Sequence, residues 1–251
     1  MLRSIIIFCL LLPLFTWAQG PQGEVRYAST VSFDQSVTAD NPELAGLFPE
    51  SQTTYMQLLF TPGATLFRQH PEDHEPEEYS GSSGEATIKI KFQRSEDVLY
   101  RNLSTGASIE KKDFMGRTFL IDQEEPTDYE WKITGEQAQI AGYLCIEAIY
   151  AEGDTNKEVV AWFAPQLPVP AGPEDYGQLP GLILKLEKDQ GTQILLAEEV
   201  ILREVSPEEM PKPTEGRRVT REKYDQIVEE KMKEMEMEYG SGGGVRIIRR
   251  N

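Results

Sequence analysis

The residues best suited to chemistry lie in one acidic stretch, where His70 and His74 are interleaved with Glu72, Asp73, Glu75, Glu77 and Glu78. Imidazole and carboxylate together suit zinc, copper or nickel. Their spacing matches no metal motif, however, and Pro71 and Pro76 prevent the helix that would bring both imidazoles to one face. A solvated acidic loop is the simpler reading, with periplasmic metal handling through His70 and His74, or through the C-terminal methionines, as the alternative. Met210, Met232, Met235 and Met237 offer thioethers, which copper(I) prefers. Met232 and Met235 already fall on an apolar helical stripe, so packing accounts for them without a metal.

Cys145 is flanked on an alternating strand by aromatic and branched residues, the setting of a small buried hydrophobe. A reactive thiol needs a histidine, a cation or a helix start beside it, and none is adjacent in sequence. The chain contains no G-x-S-x-G, no phosphate-cradling G-x-x-x-x-G-K and no H-E-x-x-H. Its two histidines both sit in the acidic stretch. No catalytic residue and no cofactor are therefore assigned, although 42 acids leave carboxylate acid–base work open. The formal charge of −17 repels nucleic acid and anionic lipid, which removes both as expected partners.

The elements that must position these groups are mostly strands. Met1 to Ala18 has a charged start, an apolar run from Ile5 to Phe15 and a small residue before a cut, the pattern of a cleaved export signal. Cys9 lacks the small residues that lipid attachment requires before it, so the expectation is an exported protein, periplasmic or secreted, and not a lipoprotein. The apolar run is shorter than the ~20 residues of a permanent span, and no later stretch is apolar enough to serve as one. Removing residues 1–18 leaves Cys145 as the only cysteine, so stability has to come from a core and not a disulfide.

Alternating apolar positions predict strands at Glu24–Phe33, Tyr55–Phe60, Ala64–Arg68, Ala86–Phe92, Val98–Asn102, Ala107–Lys111 and Thr118–Ile121. Residues 70–85 read as a surface loop. Tyr129, Trp131 and Ile133 alternate, after which Gly135-Glu136 is expected to turn the chain. Hairpins follow at Tyr143–Ala164 and Leu182–Val205. Between them the run from Pro165 to Gly181 carries Pro165, Pro168, Pro170, Pro173 and Pro180, too many for a ladder strand. A loop of this length is usually functional or mobile. Pro207–Gly216 reads as a linker. Thr220 to Tyr239 carries Tyr224, Ile227, Val228, Met232, Met235 and Tyr239 on one stripe, the pattern of an amphipathic helix. Residues 240–251 form a glycine-rich, basic tail.

Trp131-Lys132-Ile133, Ile140-Ala141-Gly142-Tyr143-Leu144-Cys145, Ala161-Trp162-Phe163, Gly172-Pro173 and Leu179-Pro180-Gly181-Leu182-Ile183 stand in the order and spacing of the GLPGLI family of exported bacterial proteins. The chain resembles that family over about residues 131–186, with Gln178 where the first motif glycine would be. The resemblance implies an exported protein of the Bacteroidetes type with no assigned activity.

The resulting expectation is one mainly β domain over residues 19–205. Its antiparallel sheet of about ten short strands is strongly curved, an open half-barrel with a two-sheet sandwich as second choice, and the C-terminal helix packs on it. Function is expected to be non-enzymatic binding of a ligand or an envelope protein. The binding surface would be the sheet's concave face or the Pro165–Gly181 rim, including Tyr176, with Trp131 and Trp162 as core anchors or ligand platforms.

Overall fold

The computed structural model describes residues 20–33, 49–72, 78–83, 86–91, 95–152 and 157–239. The expected export signal, His74 and the basic tail lie outside them. Twelve strands form one sheet that does not close on itself. In chain order the strands are β1 (Gly23–Ser32), β2 (Ser51–Phe60), β3 (Ala64–Gln69), β4 (Glu78–Ser83), β5 (Ala86–Lys91), β6 (Val98–Asn102) and β7 (Ser108–Phe114). They continue with β8 (Arg117–Gln123), β9 (Lys132–Ile140), β10 (Tyr143–Glu152), β11 (Lys157–Ala164), β12 (Leu182–Lys188), β13 (Gln193–Leu202) and β14 (Arg217–Thr220). The order across the sheet is β14-β8-β7-β6-β3-β2-β1-β13-β12-β11-β10-β9, and β4 and β5 pair separately. Every pairing is antiparallel except β14 on β8. A curved, mainly antiparallel open sheet with one C-terminal helix is the architecture that the alternation pattern led us to expect.

The connection from β8 to β9 shows why the sheet has to curl. These strands stand second and last in the order, ten steps apart, which at about 4.8 Å per step would separate them by about 48 Å in a flat sheet. The chain between Gln123 and Lys132 can reach only about 32 Å fully extended. The two ends must therefore approach each other, and residues 124–131 cross the remaining seam. Strand twist and the register shifts at Arg26/Tyr27, Ile146/Ala148 and Trp162/Phe163 supply the bending.

The enclosed face carries the main core, in which Val25, Tyr27, Leu58, Phe60, Cys145, Ala148, Phe163, Leu184 and Leu195 are buried. The buried Tyr27 hydroxyl donates to the Ile183 carbonyl at 2.6 Å, so β1 is tied to β12 across the intervening β13. The chain itself fills this face. Leu167, Val169, Ala171 and Leu179 of the Pro165–Gly181 loop join the core. At the other end, helix α1 (Arg221–Tyr239) lays Tyr224, Ile227 and Val228 on Phe119 and Ile121, and Arg221 pairs with Glu110 of β7. A smaller core on the outer face buries Leu59 and Leu66 under Val205 and Met210. There Arg203 bridges Glu24 at 2.9 Å and Glu209 at 2.7 Å.

Four local readings are corrected. Residues 78–83 are a strand and not loop, because both prolines precede them and pairing with β5 outweighs a weak intrinsic preference. Gly135-Glu136 does not turn the chain, since β9 runs through it to Ile140. The turn falls at Ala141-Gly142, where consecutive φ values of +48° and +85° suit a two-residue hairpin. Thr220, expected to open the helix, instead ends the strand Arg217–Thr220, which no local pattern signalled because its partner β8 lies far away in sequence. Finally, fourteen strands are present among the described residues where about ten were expected.

Candidate functional site at the sheet seam

The Pro165–Gly181 loop is built into the sheet and does not hang from it. Proline removes donors and fixes φ, so the loop makes no ladder; its backbone bonds instead run to the neighbouring strand. Leu182 donates to Leu167 O and Ile183 donates to Ala171 O, each at 2.9 Å. The residues alternate, with Leu167, Val169 and Ala171 buried and Pro168 and Pro170 exposed. Gly181 sits so close to β11 that a Cβ there would lie 2.4 Å from the Ala164 carbonyl oxygen. Gly172 is likewise pressed on Ile183, at 2.7 Å from an added Cβ. This part of the motif therefore packs the loop onto β12, and Pro173, Leu179, Gly181, Leu182 and Ile183 are buried while Pro180 is exposed.

The loop's tip reaches the seam. Tyr129 and Trp131, from the segment that crosses from β8 to β9, stack with Tyr176 of the loop and Tyr150 of β10. Ring centroids are 5.0 Å apart for Tyr129 and Tyr176, and 5.8 Å for both Tyr129–Trp131 and Trp131–Tyr150. Polar groups fix this cluster. The Trp131 indole N–H donates to Gly177 O at 2.9 Å and the Tyr129 hydroxyl to Asp175 Oδ2 at 2.7 Å. Gln178 holds the crossing segment from both sides, its Oε1 accepting from Tyr129 N–H at 3.1 Å and its Nε2 donating to Thr127 O at 2.8 Å. Lys188 pairs with Glu174 at 2.6 Å.

Gln178 has φ +67°, in the left-handed region that favours glycine. The residue standing where a motif glycine was expected thus keeps a glycine-like backbone, and its two side-chain hydrogen bonds offset the strain.

Arg101, at the end of β6, completes the site from the opposite half of the sheet by donating through Nη2 to the Asp175 carbonyl. Burial pushes its pKa down, and the nearby Asp175 carboxylate pulls it back up. Burial, then Asp175, raises the Tyr129 pKa, so the phenol stays protonated and acts as a donor. Between these groups lies a cleft of about 260 Å³ lined by Arg101, Ser104, Thr105, Thr127, Tyr129, Asp175 and Gln178, with Leu103, Gly106, Pro126 and Pro170.

Of the other residues singled out in the sequence, Trp131 and Tyr176 belong to the seam, and Gly142 forms the β9–β10 turn. Tyr143 and Trp162 are half-buried against the main core, and the buried Trp162 Nε1 has no hydrogen-bond partner among the described residues. Cys145 is fully buried, and burial pushes its thiol up to about 11. His70 is half-buried, its Nδ1 accepting from Glu72 N–H at 3.2 Å. Among the described residues, no three His, Cys, Asp or Glu side chains gather in a way that could hold a metal ion. Met210 is packed with Leu59, Leu66 and Val205, Met232 is buried and Met237 is exposed. Sequence reasoning missed Arg101, Tyr129, Asp175 and Gln178 as a group. They are dispersed over 78 positions, and only Asp175 and Gln178, inside the motif loop, carried any signal.

An open half-barrel whose seam is locked by a proline-rich loop is thus the class that the geometry defines. A family model described as a protein of unknown function (Porph_ging) matches residues 151–185, which include β11, the loop and the start of β12. No curated protein matches. Among solved structures, PNGF-II in its P21 and C2 crystal forms is 14% identical, with a TM-score of 0.54, over 83% of this chain and 33% of that one. At that identity the likeness concerns the fold, and this chain spans about a third of the length of those structures. An uncharacterized conserved protein from Thermus thermophilus is 8% identical, with a TM-score of 0.34, over 81% of this chain and 92% of that one.

Proposed function

We propose that the chain is an exported, non-enzymatic binding protein of the GLPGLI type, and that it holds a small ligand or an envelope partner at the seam. The observation that carries this reading is the cleft between the motif loop and the crossing segment, with a guanidinium in its wall. The concave face, the other surface considered, is occupied by the protein's own core. A binding role fits the seam's chemistry, because Tyr129 is held protonated and serves as a fixed donor in place of a proton shuttle. Export is supported by the charged, apolar and small-residue pattern of Met1 to Ala18 and by the GLPGLI-like motif.

The test is native mass spectrometry of the chain isolated gently from its own host and compared with the denatured sample. An adduct released on denaturation, and absent from a variant with the cleft filled by Thr105→Trp, is the expected result. A bare polypeptide mass that also captures no envelope protein on crosslinking would count against the proposal.

A further inference from the structure

Arg101 is set in the seam with the Asp175 carboxylate near enough to raise its pKa but not in contact as an ion pair. Its single hydrogen bond is to a neutral backbone carbonyl, that of Asp175, and it forms no ion pair among the described residues. The Asp175 carboxylate accepts from the Tyr129 hydroxyl instead. Glu174, the next acid along the loop, is taken by Lys188. A guanidinium withdrawn from water is costly unless charge and hydrogen bonds compensate it. Here the Arg101 side chain is part of the lining of the cleft. Gly177 is what allows the loop to come so close, since a Cβ there would meet Arg101 Nη1 at 3.3 Å and Pro170 O at 2.7 Å.

The rest of the lining is complementary to an oxyanion. Among the described lining residues Asp175 is the one acid, and its carboxylate accepts from the Tyr129 hydroxyl. Ser104, Thr105 and Thr127 bring hydroxyl side chains to the same lining. A planar guanidinium with parallel donors matches a carboxylate or a phosphate in a way that an ammonium does not. The general negative charge of the chain acts at longer range and is screened beyond about 8 Å at physiological salt.

Resting on the binding reading above, we propose that the seam cleft takes a small anionic ligand whose carboxylate or phosphate oxygens are held by Arg101. The test is calorimetric titration of the full chain with succinate, inorganic phosphate and, as the neutral counterpart of succinate, succinamide, all at constant ionic strength. It is repeated on Arg101→Gln and on Arg218→Gln, which removes the same charge from the exposed end of β14. Near-ultraviolet circular dichroism of the stacked aromatic rings checks that the seam is intact in each variant.

Saturable binding of succinate or phosphate, weakened about tenfold or more by R101Q and unchanged within about twofold by R218Q, is the expected result. Whichever probe binds more tightly identifies the source of the oxyanion. Should R101Q disturb the seam, the comparison of succinate with succinamide on the unaltered chain decides the matter alone. Succinamide binding as well as succinate, or anions binding R101Q as well as the unaltered chain, would overturn the anion assignment and leave the cleft a binding site. Absence of saturable binding by all three probes would overturn the anion assignment, while the binding reading stands or falls on the native mass measurement above.

Discussion

Replacing Gly181 by alanine tests whether the motif glycine is required by packing. Gly181 is not in the left-handed region, so its backbone would accept alanine. Without a clash, the substitution would stabilise the fold by about 0.4–1 kcal/mol through the unfolded chain. The new Cβ, however, would lie 2.4 Å from the Ala164 oxygen and 2.7 Å from its carbonyl carbon, and both are backbone atoms. They cannot swing aside as a side chain would. The Ala164 oxygen also accepts from Leu167 N–H at 3.0 Å, and Ala164 is the ladder partner of Leu182.

Forcing these strands apart combines an overpacking cost of about 1–3 kcal/mol with one or two backbone hydrogen bonds at about 1 kcal/mol each. The net expectation is a loss of about 3 kcal/mol, which lowers the urea midpoint by about 1 M or more at an m-value of about 1–3 kcal/mol/M. Gly63→Ala is the control, since nothing lies within 4 Å of a Cβ there; it should be neutral or slightly stabilising. Equilibrium urea unfolding followed by tryptophan fluorescence reads both variants. If G181A unfolds within about 0.5 kcal/mol of G63A, the packing argument for the loop is wrong.

At Gln178, alanine keeps the strained φ and loses both side-chain bonds, for about 1–3 kcal/mol, whereas glycine relieves the strain; the midpoint of Q178G should lie above that of Q178A by about 1 kcal/mol, and the reverse order would refute the strain argument. Cys145, buried and pushed up to about 11, should resist iodoacetamide at pH 8 in the folded chain and react once denatured, as read by mass spectrometry; rapid labelling of native protein would contradict its burial. Glu209 is held down to about 2 by Arg203 and the Ser206 N–H, below its usual 4.5, so its contribution is complete above pH 4.5 and is lost as pH falls toward 2. Carboxylate NMR titration should show that low value, and R203Q should return it to the ordinary range.

The sequence made the local pattern legible and left the long-range one hidden. Val25, Tyr27 and Ser29 alternate strictly, and β1 buries them as alternation requires. The helix stripe through Tyr224 and Met232 buries as its period implies, and Lys233 reaches Glu229 at 2.7 Å. Whether the sheet closed as a half-barrel or split into a sandwich could not be read from alternation. That is decided by β8 and β9 lying at opposite ends of the order with few residues between them. The seam was hidden for the same reason: Arg101, Tyr129 and Asp175 meet only after the sheet curls. Parallel pairing of β14 with β8 joins residues almost a hundred positions apart, and no spacing rule reaches that far.

The central claim is that ligand or partner meets the protein at the seam, and hydrogen exchange tests it most directly. The chain would be incubated with and without a concentrated extract of its host's envelope, and amide exchange mapped by peptide. The account predicts slower exchange in residues 101–106, 126–131 and 170–178 together, with the rest of the sheet unchanged. Protection confined to other surfaces, or none in these three segments, would contradict it.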